Sequence, residues 1–403
     1  MGPRGRDEPR VGRDCRVEAR ENRPGIALPR YCLLVGAVAG SSATHPIVSF
    51  QSVVAARTCG AVGNNDIVSY EHHDLLVSII VPNYNHARFL TQRLQTILDQ
   101  TYRDFELIIL DDASTDDSRE VIEKFAQDPR VRTVYNEKNT GSPFIQWNRG
   151  VAQAKGDYVW IAESDDYADP ELLQSLVAVL RSRENLAVVY SQSWHVVDDG
   201  SVIGTIAPFY SDLDHGRWMQ DFVNDGKDEC SRYLIRKNTI PNASAAVFRR
   251  QLYEEAGGAD ANMRLAGDWM LWAKLLLRGD VAFVAKPLNY YRCHSSTVRS
   301  SVLYSTSEIE EFYRVCTFIK QQAGVAPKTY KIVCDALADR WLTSFVRCGL
   351  QSSNKEVMAA AKQFDQAVLQ SLLRRFVARA ISRLRRLAFP GAASQRRGDS
   401  PVR

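Results

Sequence analysis

The chain has 403 residues, of which 45% are hydrophobic and 24% are charged, and its formal net charge is +4. This is the composition of a globular protein with enough apolar material for a core, and the charge is too mild to indicate a nucleic-acid partner. The eight cysteines are scattered without a C-x-x-C pair, which argues against a zinc site of the usual spacing and a disulfide scaffold, and favours a reducing cytosol.

Residues 1–72 show no sustained apolar period and begin with a stretch rich in Arg, Gly and Pro, so we expect a disordered or irregular leader. Its best apolar run, residues 31–40, is shorter than the roughly 18 residues that span a bilayer. Arginines precede this run as in a secretory signal, but acidic residues lie in the same stretch, so we expect no signal. The predicted location is cytoplasmic.

From residue 75 strand and helix patterns alternate. Apolar runs rich in β-branched residues predict strands at 76–81, 105–110, 131–135, 158–162 and 186–190. Helical spacing predicts helices at 89–98 and 143–154, a helix that ends at 126 and a helix that begins near 170. Ser114, Thr115, Asp116 and Asp169 are the expected N-cap residues. The alternation predicts an α/β fold with a mostly parallel, Rossmann-like sheet flanked by helices.

Polar clusters follow three of these strands, at 82–85, at Asp111-Asp112 and at 163–166. Ligands of such sheets bind at the carboxyl ends of strands, so we expect the three clusters to meet in one site. After residue 195 the alternation stops. A strand at 245–248, helices at 249–256 and 267–278 and a helical region at 306–389 are then expected.

The segment Glu163-Ser164-Asp165-Asp166 places carboxylates side by side after a strand. Their repulsion is unfavourable unless a cation compensates it, and Mg²⁺ or Mn²⁺ binds through one or two carboxylates plus substrate phosphates. The alternative is a solvated acidic turn that leads into the Asp169 cap. The position opposite two other polar strand ends favours a metal site.

Other positions allow a structural and a functional interpretation. Asp111-Asp112 is either a turn with a helix cap or an acceptor for a nucleobase N–H. Asp268 is either the N-cap of an apolar helix or a general base for an attacking sugar hydroxyl. Arg292 is a candidate for binding a diphosphate, and His294 for a metal or phosphate contact, although a lone His is more often structural.

The motifs together resemble those of the family 2 inverting glycosyltransferases, which have the GT-A fold. The resemblance covers residues 76–300, and the order and spacing of its motifs make it specific. The motifs are V-S-I-I-V-P-N-Y-N (77–85), Q-T-Y-R-D-F-E-L-I-I-L-D-D-A-S-T-D (100–116), E-S-D-D (163–166), G-D-W-M-L-W (267–272) and Y-R-C-H (291–294). The patterns of dinucleotide enzymes, P-loop NTPases, serine hydrolases and zincins do not occur in the sequence.

The resemblance implies a role for each matching residue. The nucleotide-binding residues would be Pro82, Tyr84, Asn85, Asp112 and Asp165. The divalent metal, Mg²⁺ or Mn²⁺, would be held by Asp166 and His294. Asp268 would be the catalytic base, and Arg292 and Trp269 would contact the diphosphate or the acceptor.

The sequence departs from the family pattern at two places. Many members carry Glu where Gly267 stands, so a second carboxylate beside the base is missing. Processive members carry the motif Q-x-x-R-W and membrane helices. In this sequence Arg340-Trp341 matches the end of the motif, but Leu337 stands where the motif has Gln, and the sequence has no spanning segment. We therefore expect transfer of a single sugar.

The expected domains follow from these patterns. They are the leader at 1–72, a GT-A domain at 73–305 with a nucleotide-binding half (73–195) and an acceptor half (196–305), a helical extension at 306–389 and a disordered tail at 390–403. Residues 374–389 predict a basic amphipathic helix. It would either contact an anionic membrane at its inner face or pack on the catalytic domain with its arginines in solvent.

The resulting hypothesis is a metal-dependent inverting glycosyltransferase. It would move one sugar from a UDP- or dTDP-type nucleotide-sugar to a glycan or lipid-linked hydroxyl acceptor, in polysaccharide or glycoconjugate synthesis. The alternatives are transfer to a polyprenyl phosphate and an inactive relative that only binds nucleotide.

Overall fold

The computed structural model describes residues 75–294, 305–348 and 353–388. The predicted leader at 1–72 and tail at 390–403 lie outside the described residues.

The first part of the chain forms the parallel half of a sheet. Its strands are β1 (Val77–Asn83), β2 (Phe105–Asp111), β3 (Val131–Tyr135) and β4 (Tyr158–Ile161). The helices between them are α1 (Ala87–Leu98), α2 (Ser118–Phe125) and α3 (Pro143–Val151). All four strands are parallel in the order β3-β2-β1-β4. The winding therefore reverses at β1, which leaves a crevice at its carboxyl end.

The second part completes the sheet. Its strands are β5 (Tyr167–Ala168), β6 (Leu186–Val197), β7 (Val202–Thr205), β8 (Phe222–Asn224), β9 (Ala246–Arg249) and β10 (Asp280–Cys293). Its helices are α4 (Leu172–Arg181), α5 (Gly226–Glu229), which continues as a π-helix over Cys230–Leu234, α6 (Arg250–Glu255) and α7 (Gly267–Leu276). Three 3₁₀ helices lie at Ala207–Tyr210, Arg217–Met219 and Ala243–Ala245.

The full order of the sheet is β3-β2-β1-β4-β9-β6-β10-β5, with β7 on β6 and β8 on β10. The short strand β9 pairs antiparallel with β4 and β6, whereas β6 and β10 pair in parallel along most of their length. The predicted α/β architecture, a mixed and mostly parallel sheet flanked by helices, is confirmed.

The central strands are buried on both faces. In β1, Ile80 packs in one hydrophobic layer and Ile79 in the other, and Ile108 and Leu107 do the same in β2. This arrangement explains why the strand sequences are almost continuously apolar.

Four helices form the C-terminal extension: α8 (Thr306–Ala323), α9 (Pro327–Cys348), α10 (Asn354–Phe364) and α11 (Val368–Ala388). The sequence predicted one continuous helical region. It is interrupted after α8, where Gly324 adopts a left-handed conformation with φ 68° and Pro327 starts the next helix. Tyr313 and Phe364 of the extension belong to the same hydrophobic layer as Ile80, so the extension shares the core of the sheet.

Two predicted caps are displaced. Asp116 lies before the N-cap position of α2 and accepts hydrogen bonds from the backbone N of Ser118 (3.0 Å) and Ala87 (2.9 Å). Asp169 accepts from the backbone N of Glu171 (2.9 Å), and α4 begins only at Leu172. Asp116 therefore binds the first N–H groups of both α1 and α2. Asp169 stabilises the turn before α4, because its short side chain bonds to a nearby backbone N–H.

The arginines of α11 are less free than the sequence suggested. Arg374 pairs with Asp335, and Arg375 (2.6 Å) and Arg379 (2.8 Å) pair with Asp339, both acids being on α9. Residues 382–388, with the remaining arginines, have no described side chains. Several apolar side chains of α11 are exposed, namely Leu369, Leu373, Phe376, Val377 and Ile381, whereas Val368 is buried. Among the described residues, no helix combines the length and the apolar character that crossing a bilayer requires.

Candidate active site

A pocket of about 470 Å³ lies at the carboxyl ends of β1, β2 and β4. Its walls include residues from all three polar clusters and from α7, among them Pro82, Tyr84, Asp112, Glu163, Asp165, Asp166, Arg292 and Asp268. The structure therefore brings together the clusters that the sequence assigned to one edge of the sheet.

The turn after β1 is tied to the turn after β2. Asn85 has a φ of 56°, which Asn tolerates better than most residues. Its backbone N donates to Ser114 Oγ (2.9 Å), and its side-chain oxygen accepts from the backbone N of Thr115 (2.7 Å). Asn85 thus holds the two turns together, whereas Pro82 and Tyr84 line the pocket itself.

Asp112 lies in the pocket wall with its carboxylate already engaged. Its oxygens accept hydrogen bonds from the side chains of Asn136 (2.6 Å), Thr140 (2.8 Å) and Gln146 (2.9 Å) and from the backbone N of Thr140. The next residue, Ala113, has a φ of 58°, which is a strained backbone angle for a residue other than Gly. Asp112 therefore fixes the loop that borders the pocket, and its contact with a base stays a prediction.

The acidic segment after β4 has strongly shifted pKa values. Burial, followed by repulsion from Asp165 and Asp166, raises the pKa of Glu163 to about 8, although Glu163 accepts a hydrogen bond from Trp147 Nε1 (2.9 Å). Burial and repulsion from Asp165 raise the pKa of Asp166 to about 6. A bound cation would stabilise the charged forms of such carboxylates.

Asp165 forms a cluster with two imidazoles. One ligand atom each of Asp165, His86 and His294 lie within 4.8 Å of one another, and His294 Nε2 is 3.0 Å from Asp165 Oδ2. Burial is the largest effect on His86 and lowers its pKa, which favours the neutral imidazole that metals bind. Ligand atoms about 2.1 Å from one octahedral cation lie about 3 to 4 Å apart. The limit of 4.8 Å admits such distances, so the three residues could hold a divalent metal.

His86 was missed by the sequence analysis. It directly follows Asn85 in the polar cluster after β1, and that position was the signal that could have found it. Its Nδ1 lies 2.8 Å from Ser164 Oγ, so the turn after β1 also contacts the acidic segment.

Asp166 is held by the protein on both oxygens. Its Oδ1 accepts from the backbone N of Arg292 (2.9 Å), and its Oδ2 accepts from Asn242 Nδ2 (2.9 Å). The geometry therefore favours Asp165 over Asp166 as the carboxylate nearest a metal, and the direct metal role of Asp166 stays a prediction.

Arg292 is held in a strand. It lies near the end of β10 and is buried, with Nε donating to the backbone O of Asp165 (2.8 Å) and a terminal nitrogen donating to Gln92 Oε1 (2.8 Å). Its guanidinium lies 4.7 Å from the centre of the Phe89 ring. These contacts hold the acidic segment in place, and the binding of a diphosphate by Arg292 stays a prediction.

A second arginine, Arg93, lies beneath the acidic segment and was also missed. It is fully buried on α1, its guanidinium is 5.0 Å from the Trp160 ring centre, and no hydrogen-bond partner for its nitrogens is found among the described residues. Burial lowers its pKa to about 10, while the charges of Asp166, Asp165 and Glu163 oppose that change. Arg93 remains charged at neutral pH and partly balances the acidic segment.

Asp268 lies on the first turn of α7 and lines the pocket. The N-cap of α7 is Ala266, so the alternative interpretation of Asp268 as the cap is wrong. The backbone N of Trp269 donates to Asp268 Oδ1 (2.7 Å), and Asn238 Nδ2 donates to Oδ2 (2.9 Å). The carboxylate is therefore held in one orientation at the pocket wall.

The neighbours of Asp268 explain why Gly267 replaces the Glu of the family, and they correct the predicted role of Trp269. A Cβ on Gly267 would lie 2.4 Å from a ring carbon of Phe144, so the aromatic ring occupies the space that a second carboxylate would need. Trp269, assigned to the diphosphate or acceptor, points into the core instead. It is buried, its Nε1 donates to the backbone O of Leu234 (2.9 Å), and its ring contacts Phe312 of α8.

Comparison with known proteins identifies the family. The model of glycosyl transferase family 2 matches residues 78–257. The glycosyltransferase GlyG of Streptococcus pneumoniae is 34% identical over 238 residues, which are 55% of this chain and 72% of GlyG. The chain belongs to glycosyl transferase family 2. TuaG of Bacillus subtilis, whose name assigns it to teichuronic acid biosynthesis, is 26% identical over 229 residues, which are 56% of this chain and 82% of TuaG.

The architecture of this family 2 glycosyltransferase is also found among solved structures. The structure of S. aureus TarS 1-349 in complex with UDP-GlcNAc aligns with a TM-score of 0.57 and 20% identity, over 73% of this chain and 82% of TarS 1-349. This similarity establishes the fold, which is GT-A, as the sequence predicted.

Proposed function

We propose that this family 2 glycosyltransferase moves a single sugar from a UDP- or dTDP-type nucleotide-sugar to a hydroxyl acceptor, with inversion at the anomeric carbon. The observation that carries the proposal is that Asp268 shares one pocket with His86 and Asp165 of the possible metal cluster. A proton acceptor and a site suited to a cation are the two groups that a direct displacement of a nucleoside diphosphate needs.

Asp268 would act as the general base. An acceptor hydroxyl must lose its proton as its oxygen attacks the anomeric carbon, and a carboxylate held within hydrogen-bond reach can take that proton. The hydrogen bond from Asn238 fixes one oxygen of Asp268, which supports a defined orientation towards the acceptor. Attack from the face opposite the leaving group gives the inverted product.

His86, Asp165 and His294 would hold the divalent cation, with Asp166 beside them. A bound cation supplies electrostatic stabilisation to the departing diphosphate. The carboxylate of Asp165 suits Mg²⁺ or Mn²⁺. Of these two, Mn²⁺ is the transition metal and accepts imidazole ligands more readily than Mg²⁺, which prefers oxygen. Pro82, Tyr84 and Asp112 would border the nucleotide, with Asn85 holding the turn behind them. Because TarS was solved with UDP-GlcNAc, UDP is the first nucleotide to test.

The acceptor would belong to polysaccharide or glycoconjugate synthesis, which the name of TuaG supports.

Transfer to a polyprenyl phosphate is the alternative. The exposed side chains of Leu369, Leu373 and Phe376 support contact of α11 with a membrane surface that carries a lipid-linked acceptor. Sedimentation with phosphatidylglycerol vesicles tests this contact. Binding of the wild type that is lost in Phe376→Ser would support it, and absence of wild-type binding would exclude it.

A thermal-shift panel of nucleotides tests the donor site. Ligands that bind only the folded protein raise its melting temperature by mass action. We expect a shift with UDP or dTDP that grows with Mn²⁺ and is reduced in Asp165→Asn. Folded protein that shows no shift with any nucleoside diphosphate would contradict the proposal.

A further inference from the structure

Glu311 belongs to α8 in the helical extension, yet its carboxylate reaches the segment that leads into α7. It accepts hydrogen bonds from three consecutive backbone N–H groups, those of Arg264 (2.7 Å), Leu265 (2.9 Å) and Ala266 (2.8 Å). The side chain is buried, with the residue 5% exposed. A buried carboxylate needs such donors, and hydrogen bonds to a charged acceptor are stronger than those to a neutral one.

The segment that Glu311 holds is part of the active-site pocket. Arg264 and Leu265 line the pocket, and Asp268 follows Ala266 by two residues on the first turn of α7. On the other side, the backbone of Gly267 packs against the ring of Phe144, which leaves no room for a Cβ. The residues before Asp268 are therefore fixed from two sides, and one of the two contacts comes from the extension.

Two more contacts of α8 flank this segment. Arg314 forms an ion pair with Asp260 (3.0 Å) on the N-terminal side, and the Phe312 ring meets the Trp269 ring edge-on at 5.2 Å on the C-terminal side. Glu311 directly precedes Phe312 and lies three residues before Arg314 in α8, so one helical turn contacts the whole approach to Asp268.

We infer that Glu311 is a positioning residue for Asp268 and that the helical extension is therefore a working part of the active site. The inference rests on the proposed role of Asp268 as the base. Glu311 acts by holding the backbone of 264–266, which sets the start of α7 and the direction in which the Asp268 carboxylate points.

The variant Glu311→Gln tests this role because it keeps the shape of the side chain. The Gln amide keeps one acceptor oxygen, but its NH₂ group replaces the other. That NH₂ group is a donor and would face a backbone N–H, which is also a donor. We expect kcat per nucleotide-binding site to fall tenfold or more, since a small misplacement of a catalytic group has effects on the order of 10²-fold. The donor KM should change less than about twofold, because the interactions with the donor are kept. Hydrogen exchange at the amides of 264–266 should become faster.

Glu310→Gln is the matched control, since it makes the same change at the adjacent, partly exposed carboxylate. It should leave kcat and amide exchange unchanged. Calorimetric stoichiometry of UDP binding separates lost positioning from lost folded protein, because a purely structural defect lowers the number of binding sites and not the turnover of each.

Wild-type turnover per site in folded Glu311→Gln, or an equal loss in both variants, would overturn the inference. If Glu311→Gln does not fold, hydrogen exchange in the wild type tests the inference instead. Slow exchange of the amides of 264–266 would support their hydrogen bonds to Glu311, and unprotected amides there would overturn the inference. A wild type without turnover on any nucleotide-sugar would instead refute the proposed function, and with it the positioning role of Glu311 in catalysis. The exchange result would still show whether Glu311 holds the backbone of 264–266.

Discussion

Asp268 is the residue on which the proposed chemistry depends. Asp268→Asn keeps the shape of the side chain but removes the proton acceptor, so we expect kcat to fall roughly 10²- to 10⁴-fold with little change in donor binding. Steady-state kinetics should be measured beside Asp199→Asn, the same substitution on an exposed turn. If Asp268→Asn turned over like the wild type, the assignment of the base would be wrong.

Gly267 is required by the ring of Phe144. A Cβ at this position would lie 2.4 Å from Phe144 Cε2, and crowding of this kind in a packed region destabilises a protein by about 1 to 3 kcal/mol. Gly267→Ala should therefore lower the free energy of unfolding in a denaturant titration. Gly216→Ala is the control, because a Cβ there would meet no atom closer than 4.0 Å. Equal stability of the two variants would show that Phe144 moves aside freely.

Glu163 should make the stability of the metal-free protein depend on pH. Its pKa is raised from 4.5 to about 8 by burial and by the charges of Asp165 and Asp166. Between these two values the folded state binds more protons than the unfolded chain, so the unfolding free energy should fall as pH rises from about 4.5 to 8.

Melting temperatures in the presence of a chelator, compared between wild type and Glu163→Gln, isolate this contribution. The variant lacks the proton-binding group, so its stability should decline less steeply over the same pH range. Parallel curves for the two proteins would contradict the shifted pKa.

The possible metal cluster is assembled from three elements that are far apart in the sequence. His86 comes from the turn after β1, Asp165 from the segment after β4, and His294 follows β10. His86→Ala should raise the Kd for Mn²⁺ by at least about 10-fold, since the loss of a partner outside the ligand shell alone costs about 10- to 100-fold in affinity. Titration calorimetry with Mn²⁺ measures this directly, with His215→Ala on an exposed turn as the control. Unchanged affinity in His86→Ala would remove His86 from the site.

At the same scale, the elements that the sequence predicted best are those buried on both faces. β1 and β2 are short apolar runs that end in polar turns, and that pattern gave both the strands and the location of the pocket. The helix starts were less accurate. Asp116 lies one residue before the N-cap of α2 and also bonds to the first residue of α1, and Asp169 bonds to a turn N–H before α4. The contacts of Arg93 and Glu311 depend on which elements pack together, and no local pattern encodes that.

The whole molecule combines a predictable parallel half with a second half that the sequence left open. The short run of β9 predicts a strand but not its antiparallel insertion between β4 and β6, since periodicity carries no strand direction. The extension was predicted as helical, but its shared core and its contact with the segment before Asp268 appear only in three dimensions. These contacts make the extension part of the same folded body as the pocket.

Turnover of a panel of nucleotide-sugars is the most direct test of the central claim, followed as release of the nucleoside diphosphate with a chelator and with Mn²⁺ restored. The proposal predicts release from a UDP- or dTDP-sugar that the chelator abolishes, that Mn²⁺ restores and that is largely lost in Asp165→Asn. Release that continues unchanged in the chelator, or that Asp165→Asn leaves intact, would contradict a metal-assisted transfer in this pocket.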